Sequence, residues 1–300
     1  MNERFPGSSE PPTGWPPNWR VEVSPRPVSY QPPPPRQRPR LVVGLFLATC
    51  GSTLLVGGPL FSLAVMTILL AHELGHFLQA RRYQVPVSLP YFLPFPLSPI
   101  GTLGAVIVMR GHVANVRALY DIAITGPLAG LVPTLMCLVV GLPSSTVQPL
   151  PDDGGLYLEF GEPLLFTWLS GIYFGPIPEG HALILHPIAF AGWVGVFLTA
   201  LNLIPIGQLD GGHILYALLK RRAHAVASML LGGAIVGTIV YGYWWWSLMI
   251  VLLIVFGARH PPTADDTVPL GWQRIVLGWL TLAFVIIGFT PVPWLPVGLE

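Results

Sequence analysis

The stretch Ala71-His72-Glu73-Leu74-Gly75-His76-Phe77 lies within one long apolar segment, residues 60–80. On an α-helix, His72 and His76 share one face and are separated by about 6 Å along the axis. Two imidazoles at this spacing can bind one metal ion, and Glu73 is placed to hold an attacking water. The pattern His-Glu-x-x-His on a helix is typical of zinc metalloproteases. The alternative is that the two histidines bind no metal and are buried in a helix bundle, where hydrogen bonds satisfy their ring nitrogens.

The composition indicates a membrane protein. Hydrophobic residues make up 52% of the chain and charged residues 10%, whereas a soluble domain has about 25% charged residues. Several apolar runs approach the roughly 20 residues that cross a bilayer. We predict an all-α polytopic membrane protein with six to seven transmembrane helices, near residues 41–58, 60–80, 118–138, 187–204, 225–257 (two helices) and 275–289. Nothing in the sequence indicates a nucleic-acid partner or an oligomeric state.

The ends of the chain differ from the apolar body. Residues 1–40 are rich in proline and predict a disordered or polyproline-II tail, although a docking site for a proline-binding module is an alternative. The membrane domain is expected to cover residues 41–292, and residues 293–300 to form a short C-terminal tail. Cys50 and Cys137 both lie in apolar segments, so no disulfide framework is indicated.

Residues 84–110 are apolar but contain five prolines, which exclude a continuous helix. The run Gly101–Met109 is rich in Val, Ile and Leu and predicts a membrane-associated β-strand or hairpin. Non-helical backbone at membrane depth must be buried in protein or line a watery cavity. We expect this strand to hold substrate in extended form beside the metal. The alternative is a strand that only packs against the helices.

The placement of the basic residues predicts the orientation. With the N-terminus in the cytoplasm, all 15 Lys and Arg fall in cytoplasmic regions, and the connection 142–185 lies outside without any of them. This arrangement puts His76 near the cytoplasmic face. Three acids fall in apolar segments, where ionisable groups are costly: Glu73, Asp121 and Asp210. Asp121 is expected to pair with Arg117, four residues earlier on the same helix.

A catalytic zinc ion usually has three protein ligands, so a third is needed. Asp210 is the strongest candidate because it lies at the same predicted membrane depth as His76. Gly211, the next residue, has no side chain and would let the backbone come close to the metal site. The alternative role of Asp210 is a helix N-cap. His213 is expected to support a ligand rather than to be one. Asn202 is a candidate for binding the oxyanion or substrate backbone, or else for a helix–helix hydrogen bond.

The motif His72-Glu73-Leu74-Gly75-His76, together with Asn202-x-x-Pro205-x-x-x-x-Asp210-Gly211, resembles the site-2 protease family of intramembrane zinc metalloproteases. The runs Gly101-Thr102-Leu103-Gly104-Ala105 and Gly126-Pro127-Leu128-Ala129-Gly130 match the same pattern. The resemblance covers residues 41–292 and is to the plant-chloroplast and bacterial branch that lacks a PDZ domain.

The resemblance implies a core of three membrane helices. His72, His76 and Asp210 would bind Zn²⁺, and Glu73 would be the catalytic acid/base. The implied substrates are transmembrane proteins such as anti-sigma-factor-like regulators, and the implied location is the bacterial inner membrane. Two alternatives belong to other classes: a membrane metal transporter, and a non-catalytic scaffold with the protease fold.

Overall fold

The computed structural model describes residues 37–109, 113–150, 157–257 and 263–297. By its internal contacts the chain divides into Met1–Gln31 and Pro32–Glu300, and all described residues belong to the second unit. The tail predicted for residues 1–40 therefore lies almost wholly outside the described residues. Its last residues are described, and Pro39 begins the first helix.

The described part of the chain is mostly helical. Its α-helices are α1 Pro39–Arg82, α2 Val116–Gly141, α3 Leu164–Phe174, α4 Pro187–Asn202, α5 Asp210–Leu219, α6 Ala223–Tyr241, α7 Ser247–Phe256 and α8 Trp272–Gly288. Three helical stretches are long and apolar enough to cross a membrane: Pro39–Arg82, Val116–Ser144 and Asp210–Tyr241. These stretches confirm a predominantly helical membrane protein, while the count of six to seven spans stays a prediction.

Helix α1 reverses direction at Gly58, which has φ 77° and ψ −177° and precedes Pro59. The Ser62 hydroxyl donates to the Cys50 carbonyl at 3.1 Å and lies 2.8 Å from the Thr53 hydroxyl. Residues twelve apart would be about 18 Å apart on a straight helix. The helix is therefore two antiparallel arms, which we call the first arm (residues 39–57) and the second arm (residues 59–82). The break falls at the glycines where the sequence predicts it.

The second arm, α2 and α4 pack closely around the buried core. A Cβ atom on Gly75 would lie 2.4 Å from the Thr125 carbonyl oxygen, and one on Gly195 would lie 2.4 Å from the Thr134 hydroxyl. Small residues at such contacts let helix backbones approach without a side chain between them. The core beside these contacts contains buried Phe61 and Trp193. This packing brings the His72 face of the second arm against α2.

Residues 84–109 form a β-hairpin instead of a helix. Strand β1, Tyr91–Pro94, pairs antiparallel with β2, Thr102–Val106, and a bridge joins Val87 to Met109 closer to the base. The register shifts between Phe92 and Pro94. A hairpin is the structure expected here because proline cannot continue a helix. Arg110, expected to end this segment, lies outside the described residues.

Two further pairs of antiparallel strands form apart from this hairpin. Strand β3, Thr146–Pro149, pairs with β5, His181–Ile184, and β4, Tyr157–Phe160, pairs with β6, Trp294–Val297. Residues 294–297 are thus paired in a sheet, while the division into a membrane domain over 41–292 and a short C-terminal tail over 293–300 stays a prediction.

Asp121 pairs with Arg274 and not, as expected, with Arg117. The Arg274 guanidinium donates to both carboxylate oxygens, at 2.7 and 2.9 Å, and the Tyr83 hydroxyl donates to Oδ2 at 2.5 Å. Arg117 instead donates to the Pro269 carbonyl at 2.6 Å. A bidentate arginine is a stronger partner for a buried carboxylate than a neighbour on the same helix. Burial is the main cause of the raised pKa of the Tyr83 hydroxyl, and its hydrogen bond to Asp121 raises this pKa further.

Candidate active site

His72 and His76 lie on one face of the second arm, and both are buried. Their Nε2 atoms are 3.1 Å apart. His76 Nδ1 lies 2.8 Å from the carbonyl oxygen of Ile122 in α2. A carbonyl can only accept, so Nδ1 carries the proton and, in the neutral ring, Nε2 presents a lone pair. This bond fixes the imidazole in the orientation of a metal ligand.

Asp210 reaches the two histidines from α5, of which it is the first residue. Its Oδ2 lies 3.2 Å from Nε2 of His72 and 3.2 Å from Nε2 of His76. The N-cap position of α5 is Leu209, so the alternative role of Asp210 as an N-cap is not the observed one. The structure thus brings Asp210 next to the two histidines, and its role as the third metal ligand stays a prediction.

Glycines allow the loop before α5 to fold this tightly. A Cβ on Gly211 would lie 1.9 Å from the Leu203 carbonyl oxygen, and one on Gly212 would lie 2.4 Å from the Gly207 oxygen. Gly207 itself has φ 61°, a conformation that favours glycine. Any side chain at these contacts would push the start of α5, and with it the Asp210 carboxylate, away from the histidines.

The three atoms fit a zinc ion. His72 Nε2, His76 Nε2 and Asp210 Oδ2 form a nearly equilateral triangle with edges of 3.1 to 3.2 Å. Ligand atoms about 2.0–2.1 Å from a tetrahedral zinc are separated by about 3.3 Å. His76 Nε2 also faces the Asp210 carboxylate oxygen, and this contact requires either a proton on the nitrogen or a metal ion between the two atoms. Among the described residues, this is the group of His, Cys, Asp or Glu side chains that could hold a metal.

Glu73 lies beside the metal group. It is 4% exposed and lies close enough to His72, His76 and Asp210 to interact with them electrostatically. It faces a cavity of about 160 Å³, whose lining also includes His72, His76, Asp210, Asn202 and His213. Buried carboxylates are costly without a partner, so a water or substrate group in the cavity is the natural partner of Glu73.

Asn202 and His213 lie at the edge of the metal group. The Asn202 amide nitrogen is 3.4 Å from His72 Nε2, close enough to reach a group bound at the metal. His213 lines the same cavity, but the metal-capable group of the described residues does not include it. The role of His213 as a support for a metal ligand stays a prediction.

Sequence reasoning missed the contribution of α2. The Ile122 carbonyl that orients His76 is a backbone group, and no side-chain motif marks it. A Cβ on Gly126 would lie 2.0 Å from His76 Nε2, so only glycine leaves room for the imidazole. The spacing of Gly126 and Gly130 was a usable signal, but it indicated helix packing alone.

A second cavity, of about 330 Å³, lies between α6, α7 and the Ile204–Ile206 turn. It is larger than the cavity at the metal group, but its lining is apolar apart from Thr238 and aromatic side chains with polar edges. Among the described residues, its lining includes no Asp, Glu, His, Cys, Lys or Arg side chain. The smaller cavity is therefore the candidate active site, because its lining includes the metal group and Glu73.

Two histidines and a carboxylate around one point, with a buried glutamate beside them, define a site of the zinc-metallopeptidase class. The family model of Peptidase family M50, the site-2 protease family, matches residues 60–236. The match covers more than half of the chain, and the chain belongs to this family. It includes the second arm with its histidines, all of α2 to α5, and Asp210.

Plant chloroplast proteins are among the similar sequences. The chain is 30% identical over 236 residues to the probable zinc metalloprotease EGY1, chloroplastic, of Arabidopsis thaliana, which covers 76% of the chain and 42% of that protein. It is 32% identical over 184 residues to the probable zinc metalloprotease EGY2, chloroplastic, of Oryza sativa subsp. indica, covering 60% of the chain and 33% of that protein. The chain thus spans about a third to two fifths of the length of these relatives.

Proposed function

We propose that this chain is an intramembrane zinc metalloprotease that hydrolyses peptide bonds in or near transmembrane segments of membrane proteins. The observation that carries the proposal is the triangle of His72, His76 and Asp210 donor atoms with 3.1 to 3.2 Å edges, next to buried Glu73. Family membership and the names of the relatives support it. The test is hydrolysis by the zinc-loaded chain compared with its Glu73→Gln form.

The proposed roles follow from the contacts. His72, His76 and Asp210 bind the zinc ion, and the Ile122 carbonyl holds the His76 imidazole in place. Zinc, when bound, supplies Lewis-acid chemistry by activating a water and polarising the scissile carbonyl. The Glu73 carboxylate accepts a proton from the attacking water and passes it to the leaving amine. Asn202 donates its amide to the substrate carbonyl oxygen.

The β1–β2 hairpin is the proposed substrate-binding element. Ala105, Val106, Ile107 and Met109 line the cavity that contains the metal group. The backbone of Val108 faces the other strand, because Ser88 N–H donates to its carbonyl and its N–H donates to Ser88 Oγ. Strand alternation then turns the Ile107 backbone outward. An unwound substrate can pair with this edge, which binds main chain regardless of side-chain identity.

Proline substitution tests this edge. Ile107→Pro removes an outward N–H and is expected to lower the cleavage of fluorescein-labelled casein, an unfolded polypeptide, by roughly tenfold or more while zinc content stays unchanged. Ile107→Ala keeps the N–H and serves as the matched control. Val108→Pro breaks the hairpin's own bond and reports on folding. Full activity of Ile107→Pro, or loss of activity only together with loss of folded protein, would leave the hairpin as packing.

We also propose membrane-tethered regulators, such as anti-sigma-factor-like proteins, as substrates, and the bacterial inner membrane as the location. The N-terminus and the active site would face the cytoplasm. In support, several basic residues and their partners gather at one end of the helices: Arg274 with Asp121, Arg117 with the Pro269 carbonyl, and Lys220 with the Asp266 carbonyl. The chloroplast location in the relatives' names belongs to those proteins.

Cysteine accessibility tests the orientation. In a chain with Cys50 and Cys137 replaced by alanine, Gly155→Cys is expected to react with a membrane-impermeant maleimide in intact cells, and Arg20→Cys only after permeabilisation. Both cysteines should react in permeabilised cells, which controls for exposure. Labelling of residue 20 in intact cells would reverse the proposed topology.

The two other function classes have less support. A metal transporter would place ligands along a pathway, whereas His72, His76 and Asp210 meet at one point. A non-catalytic scaffold would not need Glu73, which is buried in the cavity at a cost in free energy. No observation in the described part of the structure favours either class over the protease.

A further inference from the structure

The segment just before the first arm of α1 holds the base of the β-hairpin through the side chain of Gln37, two residues before the helix begins. Gln37 Nε2 donates to the Val87 carbonyl at 3.1 Å, and Gln37 Oε1 accepts from Leu89 N–H at 3.2 Å. A primary amide that donates and accepts in this way takes the place of a neighbouring strand. Because Ser88 between them faces Val108 of the other strand, Gln37 occupies the outer edge of the hairpin.

The first arm itself holds the tip of the hairpin. Ser52 Oγ donates to the Gly101 carbonyl at 2.5 Å. Gly101 has φ 75°, and a Cβ there would lie 2.9 Å from Thr53 Cα, so the tip contacts the arm backbone directly. Between base and tip, the rings of Phe46 and Phe92 meet edge to face with centroids 5.1 Å apart. The hairpin therefore contacts the first arm and the segment just before it along its whole length.

These contacts replace bonds that the hairpin itself lacks. Pro90 and Pro94 have no N–H to give to a sheet, and in the described part of the chain this sheet consists of β1 and β2. An isolated two-stranded hairpin is at best marginally stable. One edge of this hairpin is fixed to the first arm while residues of β2 line the metal cavity. The arm therefore sets the distance between the outward edge of the hairpin and the metal ligands.

We propose that Gln37 and Ser52 are positioning residues, which hold the substrate-binding strand at the distance from the metal that cleavage requires. The inference rests on the proposed function of the site. Neither side chain belongs to the metal group or to the lining of its cavity. Without these bonds the strand can move away from its position beside the cavity, and it then pairs less well with the main chain of a substrate. We therefore expect the loss of these bonds to weaken substrate binding more than it lowers zinc content.

The test uses the full chain in detergent micelles with Gln37→Ala, Ser52→Ala and the double variant. Arg38→Ala and Thr67→Ala are matched controls. Arg38 is the exposed neighbour of Gln37, and the Thr67 hydroxyl bonds only within its own helix, to Leu63. The readouts are zinc content, hydrogen exchange of residues 87–109, and KM and kcat for fluorescein-labelled casein. Each single variant is expected to raise KM about fivefold, and the double variant by more than tenfold.

Faster exchange over residues 87–109 and a raised KM, with full zinc content and little change in kcat, would support positioning. Unchanged exchange or unchanged KM in the double variant would overturn it, as would loss of zinc in parallel with activity. Equal effects in the Arg38→Ala and Thr67→Ala controls would also overturn it. Inactivity of the zinc-loaded wild-type chain would instead refute the proposed protease function. Hydrogen exchange would then still decide whether Gln37 and Ser52 hold the hairpin.

Discussion

Replacement of Glu73 with glutamine is expected to abolish proteolysis while the chain keeps its zinc. Glutamine has nearly the shape of glutamate but cannot accept the proton of the attacking water, and loss of a general base costs about a hundredfold to ten-thousandfold in rate. Glu73 is buried beside the metal group without being one of its ligands. We expect a loss of about a thousandfold in cleavage and one zinc per chain in both forms.

The comparison is made by membrane proteomics in cells that produce the wild-type chain or the Glu73→Gln form. Substrates should accumulate as uncleaved membrane proteins only with the variant. Asp121→Asn is a control for changing a buried carboxylate elsewhere, since Asp121 pairs with Arg274 and lies outside the metal group. Identical membrane proteomes for the wild type and Glu73→Gln would remove the support for a proteolytic role. Retained zinc transport by the variant would favour the transporter class.

Replacement of Asp210 with alanine is expected to remove both zinc and activity. The Asp210 carboxylate is one corner of the donor triangle, at 3.2 Å from both histidine nitrogens. Without it, two histidines remain, fewer than the three protein ligands usual for a catalytic zinc. The affinity for zinc should fall by more than the roughly 10- to 100-fold that is typical when a residue that only supports a ligand is changed.

Metal analysis of the purified variants measures this effect, with His213→Ala as the matched control. His213 lines the same cavity and should retain most of its zinc when replaced, because it is outside the metal group. Size-exclusion elution of each variant shows whether it is folded. Full zinc occupancy in folded Asp210→Ala, together with zinc loss in His213→Ala, would transfer the role of third ligand to His213.

Local patterns predicted much of the candidate site. The four-residue spacing of His72 and His76 is a property of any helix, and the reversal at Gly58 follows from a glycine–proline pair. Asp210 was found because metal chemistry demands a third ligand at the same depth, and the structure places its carboxylate there.

The contacts that the sequence did not predict join segments far apart in the chain. Asp121 pairs with Arg274, 153 residues away, although a closer arginine was available on its own helix. Strand β6 pairs with β4, and the hairpin is held by Gln37, just before the first arm, and by Ser52 within it. Such contacts depend on how helices pack in three dimensions, and neither periodicity nor residue spacing contains that information.

The most direct test of the protease assignment is hydrolysis of a membrane-embedded peptide by the purified chain. The zinc-loaded wild type is reconstituted in liposomes with a synthetic single-span peptide of Leu and Ala that contains a central Asn-Gly pair, which weakens its helix. Mass spectrometry then reads the new termini. We predict cleavage inside the span by the wild type, with none by Glu73→Gln or after zinc removal. An intact peptide with the folded, zinc-loaded wild type, or equal cleavage by Glu73→Gln, would contradict the account.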